Sequence, residues 1–115
     1  MKAALSVGHS VRTRALCVGA VKSNIGHLEG GAGIAGMVKL TGCLTAGGTV
    51  PNLHLRQLNN HIFDDLGDFA ARWPSECLPI NSPSEPRPMS TSVSSFGFGG
   101  TNGHVVLVSA DAPST

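Results

Sequence analysis

The run from Leu28 to Ala46 constrains this chain more than any other stretch. Ile34, Met37, Val38, Thr41 and Leu44 recur at helical spacing, Glu29 stands in the first turn, and Gly47-Gly48 supplies a stop. The other faces carry Gly30, Gly31, Gly33, Gly36 and Gly42 beside Ala32 and Ala35. Each interior glycine costs a helix about 1 kcal/mol relative to alanine. Such a helix needs close packing on its neighbours to persist, so it is expected to be central and buried. Lys39 in its middle, together with the glycines, makes it a poor membrane span.

Composition points the same way. The 115 residues leave room for one domain, and aromatics are only 4%. Large core-filling side chains are scarce, which fits a chain that packs backbone closely and borrows core from another segment. Around the helix, Leu16 to Val21 is an apolar run of strand length, followed by a polar loop at Lys22–Gly26. Thr49 to Leu53 reads as extended, because Pro51 biases Val50 away from helix. Residues 54–90 are weakly patterned and rich in proline, a long connection of the kind that drapes over a partner. Thr91–Ser95 and Gly103–Ser109 read as two strands joined by the glycine loop Phe96–Asn102. The division expected is an N-terminal segment at 1–14, poorly ordered, a structured unit at 15–109, and a tail or linker at 110–115.

Charge and cysteine usage exclude several classes. Residues 1–60 hold six basic side chains against Glu29 alone, a net +5; residues 61–115 hold two arginines against six acids, a net −4. The bases are scattered and not interleaved with aromatics, so nucleic acid is not an expected partner. Cys17, Cys43 and Cys77 are odd in number and far apart, and no Cys-x-x-Cys or His-x-x-x-His occurs, so neither a disulfide framework nor a metal site is expected. Free thiols fit a reducing compartment, and a cytoplasmic location is the expectation. Each cysteine reads as a small buried hydrophobe, because none sits at a strand-to-helix elbow that would activate a nucleophile.

Gly31-Ala32-Gly33-Ile34-Ala35-Gly36 satisfies the G-x-G-x-x-G pattern of dinucleotide binding. Gly31 lies well past the strand end, and no acid occurs between Glu29 and Asp64, so the match is better explained by helix packing. Two other runs carry more chemistry. In Val21-Lys22-Ser23-Asn24-Ile25-Gly26-His27, a histidine stands at a helix N-terminus, where the macrodipole disfavours imidazolium. A neutral histidine there can donate a hydrogen bond to a developing oxyanion. In Ser94-Ser95-Phe96-Gly97-Phe98-Gly99-Gly100-Thr101-Asn102, the glycines permit close substrate approach that side chains would block. Taken singly, the histidine reads as structural, the lysine as a surface residue, and the glycine loop as a turn with an aromatic plug.

These two runs, in this order, resemble the C-terminal half of a β-ketoacyl synthase of fatty-acid and polyketide synthesis, the modular polyketide type especially. Val50-Pro51-Asn52-Leu53-His54 is similar to that family's extended proline segment, and Leu58-Asn59-Asn60-His61-Ile62 to its Asn-Pro-x-Ile stretch, with Asn60 in the proline position. The run from Val93 to Val105 is a close match. Leu28 departs from the threonine of many relatives.

The resemblance implies an α/β thiolase-like fold, layered αβα with a mixed sheet, of which this chain holds the C-terminal half. It implies acyl transfer with decarboxylative Claisen condensation of malonyl and acyl thioesters. His27 matches one of two histidines that stabilise the enolate, and Lys22 the lysine that orients that site. Phe98 matches a gating residue whose N–H completes an oxyanion hole, in a substrate loop with Gly99, Gly100, Thr101 and Asn102. No bound cofactor is implied; the substrates ride on the phosphopantetheine arm of an acyl carrier protein. The family's nucleophilic cysteine and first histidine lie upstream of the lysine, and no segment here matches them. The other half of the synthase, or an intact synthase, is therefore an expected partner, with the parent enzyme a dimer. Without that partner the chain is expected to be inactive and to expose apolar surface. The alternatives are a non-catalytic remnant or assembly partner packed on a synthase, and a small module that binds the phosphopantetheine arm.

Overall fold

The computed structural model describes residues 14–80 and 89–110. Eight short elements follow one another. They are β1 (Leu16–Cys17), α1 (Lys22–Ile25), a 3-10 turn (Glu29–Gly31), α2 (Ala32–Ala46), α3 (Asn60–Leu66), β2 (Ala71–Arg72), β3 (Ser90–Phe96) and β4 (Asn102–Val108). Strand pairing is mixed. β1 and β2 are parallel, with Leu16 opposite Ala71, whereas β3 and β4 form an antiparallel hairpin running from Ser90–Val108 to Phe96–Asn102.

The glycine-rich helix forms where its spacing places it. It ends at Gly47, whose left-handed φ of 66° is one a β-carbon disfavours. Its glycines meet the hairpin: a Cβ on Gly36 would lie 2.7 Å from Val93 Cγ2, and one on Gly33 would lie 3.2 Å from Ser95 Oγ. The helix backbone therefore lies directly on β3, and glycine at the contact lets it do so. Gly42 faces open space instead. Gly42→Ala is expected to stabilise the chain by up to about 1 kcal/mol. Gly36→Ala is expected to destabilise it, because overpacking costs about 1–3 kcal/mol and outweighs the gain in propensity. Urea titration of both variants checks the opposite signs.

The helix is not enclosed, contrary to expectation. Ile34 and Val38 are each 67% exposed, and Cys43 is its only buried residue among those described. With Met89, Cys43 makes up the buried apolar core among the described residues, and Val106 and Val108 of β4 also face solvent. One side of α2 has the hairpin to pack on; on the other, Ile34 and Val38 stay exposed and no layer covers them among the described residues.

Four further expectations need correction. The strand expected over Leu16–Val21 stops at Cys17, extended only by the Val18 N–H bonding Arg72 O at 2.8 Å, because the Ala20 N–H is drawn to the Asn52 side chain. Lys22–Ile25, read as loop, is one turn of helix, closed by Gly26 N–H to Lys22 O at 2.9 Å. The weakly patterned stretch holds α3, whose first amides are served by Asn59; its Oδ1 accepts from the His61 N–H at 2.9 Å. Cys17 and Cys77 are exposed rather than buried. The expectations for residues 1–13 and 111–115 lie outside the described residues.

Candidate active site

Lys22 opens α1 and is exposed. The turn ends at Gly26, whose φ of 80° redirects the chain into His27. His27 then precedes the 3-10 turn that runs into α2, so it stands at the N-terminal end of the long helix. Its Nδ1 lies 2.8 Å from the Glu29 backbone N. A backbone N–H can only donate, so Nδ1 accepts, and the proton of the neutral ring sits on Nε2. That leaves Nε2–H free to point at a ligand, and the exposed ring lets a ligand reach it. Glu29 has φ 47°, an uncommon conformation for a residue with a side chain, so this loop is held under constraint.

Phe98 lies at the tip of the hairpin and is fully exposed. The loop closes on itself through Gly97 N–H to Thr101 O at 2.6 Å and Gly100 N–H to Gly97 O at 3.0 Å. Gly100 has φ 92°, and a Cβ on Gly97 would meet Thr101 O at 2.9 Å, so glycine is needed at both positions. Among the described residues the Phe98 N–H has no acceptor in the protein. Gly99 and Thr101 complete the loop, and Asn102 begins β4 opposite Phe96.

The register of α2 on β3 brings the two motifs to one end. Gly36 sits by Val93 and Gly33 by Ser95, so the helix runs toward its N-terminus as the strand runs toward its C-terminus. In chain order His27 precedes that end of the helix, and the Phe98 loop follows that end of the strand. A neutral imidazole N–H and a free backbone N–H at one end of a helix–hairpin pair can stabilise developing negative charge on oxygen.

Three residues, Lys39, Asn24 and Asn52, support this end and were assigned no role from sequence. Lys39 Nζ donates to Asn24 Oδ1 at 2.9 Å, and Asn24 Nδ2 donates to Pro51 O at 3.2 Å. Burial pushes the Lys39 ammonium below its usual pKa, with Cys43 opposing by a smaller amount. Buried Asn52 accepts from the Ala20 N–H at 2.9 Å and donates through Nδ2 to Val18 O at 3.1 Å and Pro74 O at 3.2 Å. A lysine inside an otherwise apolar helix and an asparagine inside an apolar proline segment were the visible signals.

Elsewhere, Ser94 Oγ and His104 Nδ1 pair across the hairpin at 2.8 Å. A shallow depression between Arg56 and Arg72 is lined by none of the candidate site residues Lys22, His27 and 98–102. Among the described residues no three His, Cys, Asp or Glu side chains cluster as metal ligands.

Residues 1–56 match the family described as "Beta-ketoacyl synthase, C-terminal domain". The chain is 42% identical over 100 residues to Highly reducing polyketide synthase cnsI of Penicillium expansum, covering 83% of this chain and 4% of that protein. It is 44% identical over 101 residues to Polyketide synthase 19 of Gibberella fujikuroi, covering 85% of this chain and again 4% of the relative. Among solved structures it superposes on the oxazolomycin ketosynthase domain OzmH KS7 of Streptomyces albus with a TM-score of 0.80. The two are 32% identical over 94% of this chain and 19% of that one. A ketosynthase from module 6 of the bacillaene synthase of Bacillus subtilis gives a TM-score of 0.74 and 31% identity, covering 87% of this chain and 19% of that one. The chain thus spans a small share of these proteins and about a fifth of the ketosynthase chains. Motif order, fold and similarity agree: the chain belongs to the β-ketoacyl synthase family of condensing enzymes and corresponds to the C-terminal part of a polyketide ketosynthase, with its thiolase-like α/β fold.

Proposed function

We propose that this chain supplies the decarboxylating side of a ketosynthase active site, an acyltransferase that performs decarboxylative Claisen condensation in polyketide synthesis. In that reaction the bond from the malonyl α-carbon to its carboxylate breaks, CO2 leaves, and the electron pair passes into the thioester enolate. His27 Nε2–H hydrogen-bonds the enolate oxygen as charge develops on it. Lys22 keeps that end of the site positive. The enolate carbon attacks an acyl group held as a thioester on a cysteine supplied by the rest of the synthase; the Phe98 N–H stabilises the tetrahedral oxyanion, whose collapse breaks the C–S bond and releases the cysteine as thiolate. Gly99, Gly100, Thr101 and Asn102 shape the loop that presents Phe98. The carrier of both substrates is the phosphopantetheine arm of an acyl carrier protein, no bound cofactor takes part, and the working enzyme is a dimer in the cytoplasm. No helix of the described residues is long and apolar enough to cross a membrane.

The observation that carries this reading is the register of α2 on β3, which sets the N-terminal end of α2, preceded in the chain by His27, beside the C-terminal end of β3, followed by the Phe98 loop. The exposed Ile34 and Val38 favour a partner layer on the opposite side of α2, where the other synthase half would pack. The test is co-expression with the N-terminal half of a polyketide ketosynthase, cut before its counterpart of Lys22. The expected result is a co-purifying pair that releases CO2 from a malonyl thioester. A pair that co-purifies but releases none assigns the chain an assembly role instead.

A further inference from the structure

We infer that Lys39 is a positioning residue for His27, acting as a clamp that refers both ends of the histidine loop to a single helix. The inference rests on the reading of His27 as the enolate donor. The C-terminal end of the loop is tied covalently, since Glu29–Gly31 runs directly into α2 at Ala32. The N-terminal end is tied by a side chain of the same helix: Lys39 Nζ reaches back across fifteen residues to Asn24 Oδ1 at 2.9 Å. Asn24 belongs to the single turn α1, which is too short to hold itself in water. That turn is closed by the Gly26 N–H, and the next residue is His27.

The loop between the two anchors needs outside support. Gly26 and Glu29 both have positive φ, and a non-glycine residue in that region persists only where its surroundings determine it. The Glu29 N–H is also the donor that fixes the His27 tautomer. Movement at Asn24 therefore changes the direction of His27 Nε2–H, and misplacement of a catalytic group by about 1 Å can cost 10²-fold in rate.

The site is built around the ammonium. A Cβ on Gly19 would lie 3.7 Å from Lys39 Nζ and equally far from Asn52 Oδ1, so the glycine leaves room where the two polar groups approach. Asn24 Nδ2 passes the restraint on to Pro51 O, next to buried Asn52. Partly withdrawing a cation from water is unfavourable unless it is hydrogen-bonded, and Asn24 supplies the acceptor for half-buried Lys39.

The test is amide hydrogen exchange by NMR on the 115-residue chain, with Lys39→Met, Lys39→Arg and Asn24→Ala. The expected result in Lys39→Met is at least tenfold faster exchange at Gly26 and Glu29, while the amides of β3 and β4 stay within twofold. Lys39→Arg, which keeps the cation, is expected to restore most of the protection. Equal acceleration at the loop and in the hairpin shows a general stability role and overturns the inference. So does no change at Glu29, or a Glu29 amide already unprotected in the parent chain. Should Lys39→Met not fold, Asn24→Ala removes the same bond from outside the helix, and the same outcomes decide. In the reconstituted pair, Lys39→Met is expected to slow CO2 release about tenfold or more and to leave acyl transfer onto the partner's cysteine unchanged. Unchanged exchange alongside an active pair sinks the clamp alone; an inactive pair with the exchange pattern intact sinks only the catalytic reading.

Discussion

His27→Ala is expected to lower CO2 release by the reconstituted pair by about 10²–10³-fold, the usual effect of removing one preorganised oxyanion donor. The reason is specific to the ring's geometry. Nδ1 is already engaged by the Glu29 N–H, so the only donor the neutral ring offers a substrate is Nε2–H. Alanine removes that donor and also leaves the Glu29 N–H without its acceptor. His27→Gln separates the two losses, because a glutamine amide can present an N–H at similar reach. It is expected to recover part of the rate. Both variants should load an acyl group on the partner's cysteine normally, since the enolate site plays no part in that step. Decarboxylation unaffected by His27→Ala would overturn the assignment of this histidine.

The second large effect is on folding. Asn52→Ala is expected to destabilise the chain by about 2–4 kcal/mol, since each partner left unsatisfied in a buried setting costs about 1–3 kcal/mol. One side chain satisfies the Ala20 N–H, Val18 O and, in part, Pro74 O. The Asn52 backbone N–H keeps its own bond to Pro74 O at 2.7 Å, so the substitution removes the side-chain contribution and not the whole junction. Asn52→Asp keeps an oxygen for Ala20 but loses both Nδ2 bonds and buries a charge, so it is expected to be no better than alanine. With Cys43 and Met89 as nearly the whole apolar core among the described residues, little stability is in reserve. Urea titration followed by circular dichroism measures the change, and a loss below about 0.5 kcal/mol would show that water satisfies these groups equally well.

Much of the structure was legible before any coordinates. The hairpin strands begin one residue earlier at each N-terminus than their apolar runs suggest, and the long helix stops at the predicted glycine. Cross-strand pairing over a short loop and a left-handed glycine cap are local events, decided within a few residues of chain. α3 was missed although Leu58, Ile62, Phe63 and Leu66 fall at helical spacing around the Asn59 cap, because the helix is only seven residues long, and β2 because a two-residue parallel strand exists only through its distant partner β1.

The histidine loop shows the same division at finer scale. Singly, His27, Lys22 and the Phe98 loop read as structural, surface and turn groups; the resemblance of the two runs to synthase motifs is what singled them out. That they belong to one end of the molecule came from tertiary structure, through the register in which Gly33 and Gly36 lie on Ser95 and Val93. The supports of that end, Lys39, Asn24 and Asn52, were invisible as a group because their bonds join segments fifteen to thirty-four residues apart. By sequence alone, the long helix with its glycine stop and the hairpin strands followed from short-range sterics and hydrogen bonding along the chain. Only the tertiary structure decided which polar side chains replace water around them, because that choice depends on which distant backbone groups packing brings within bonding distance.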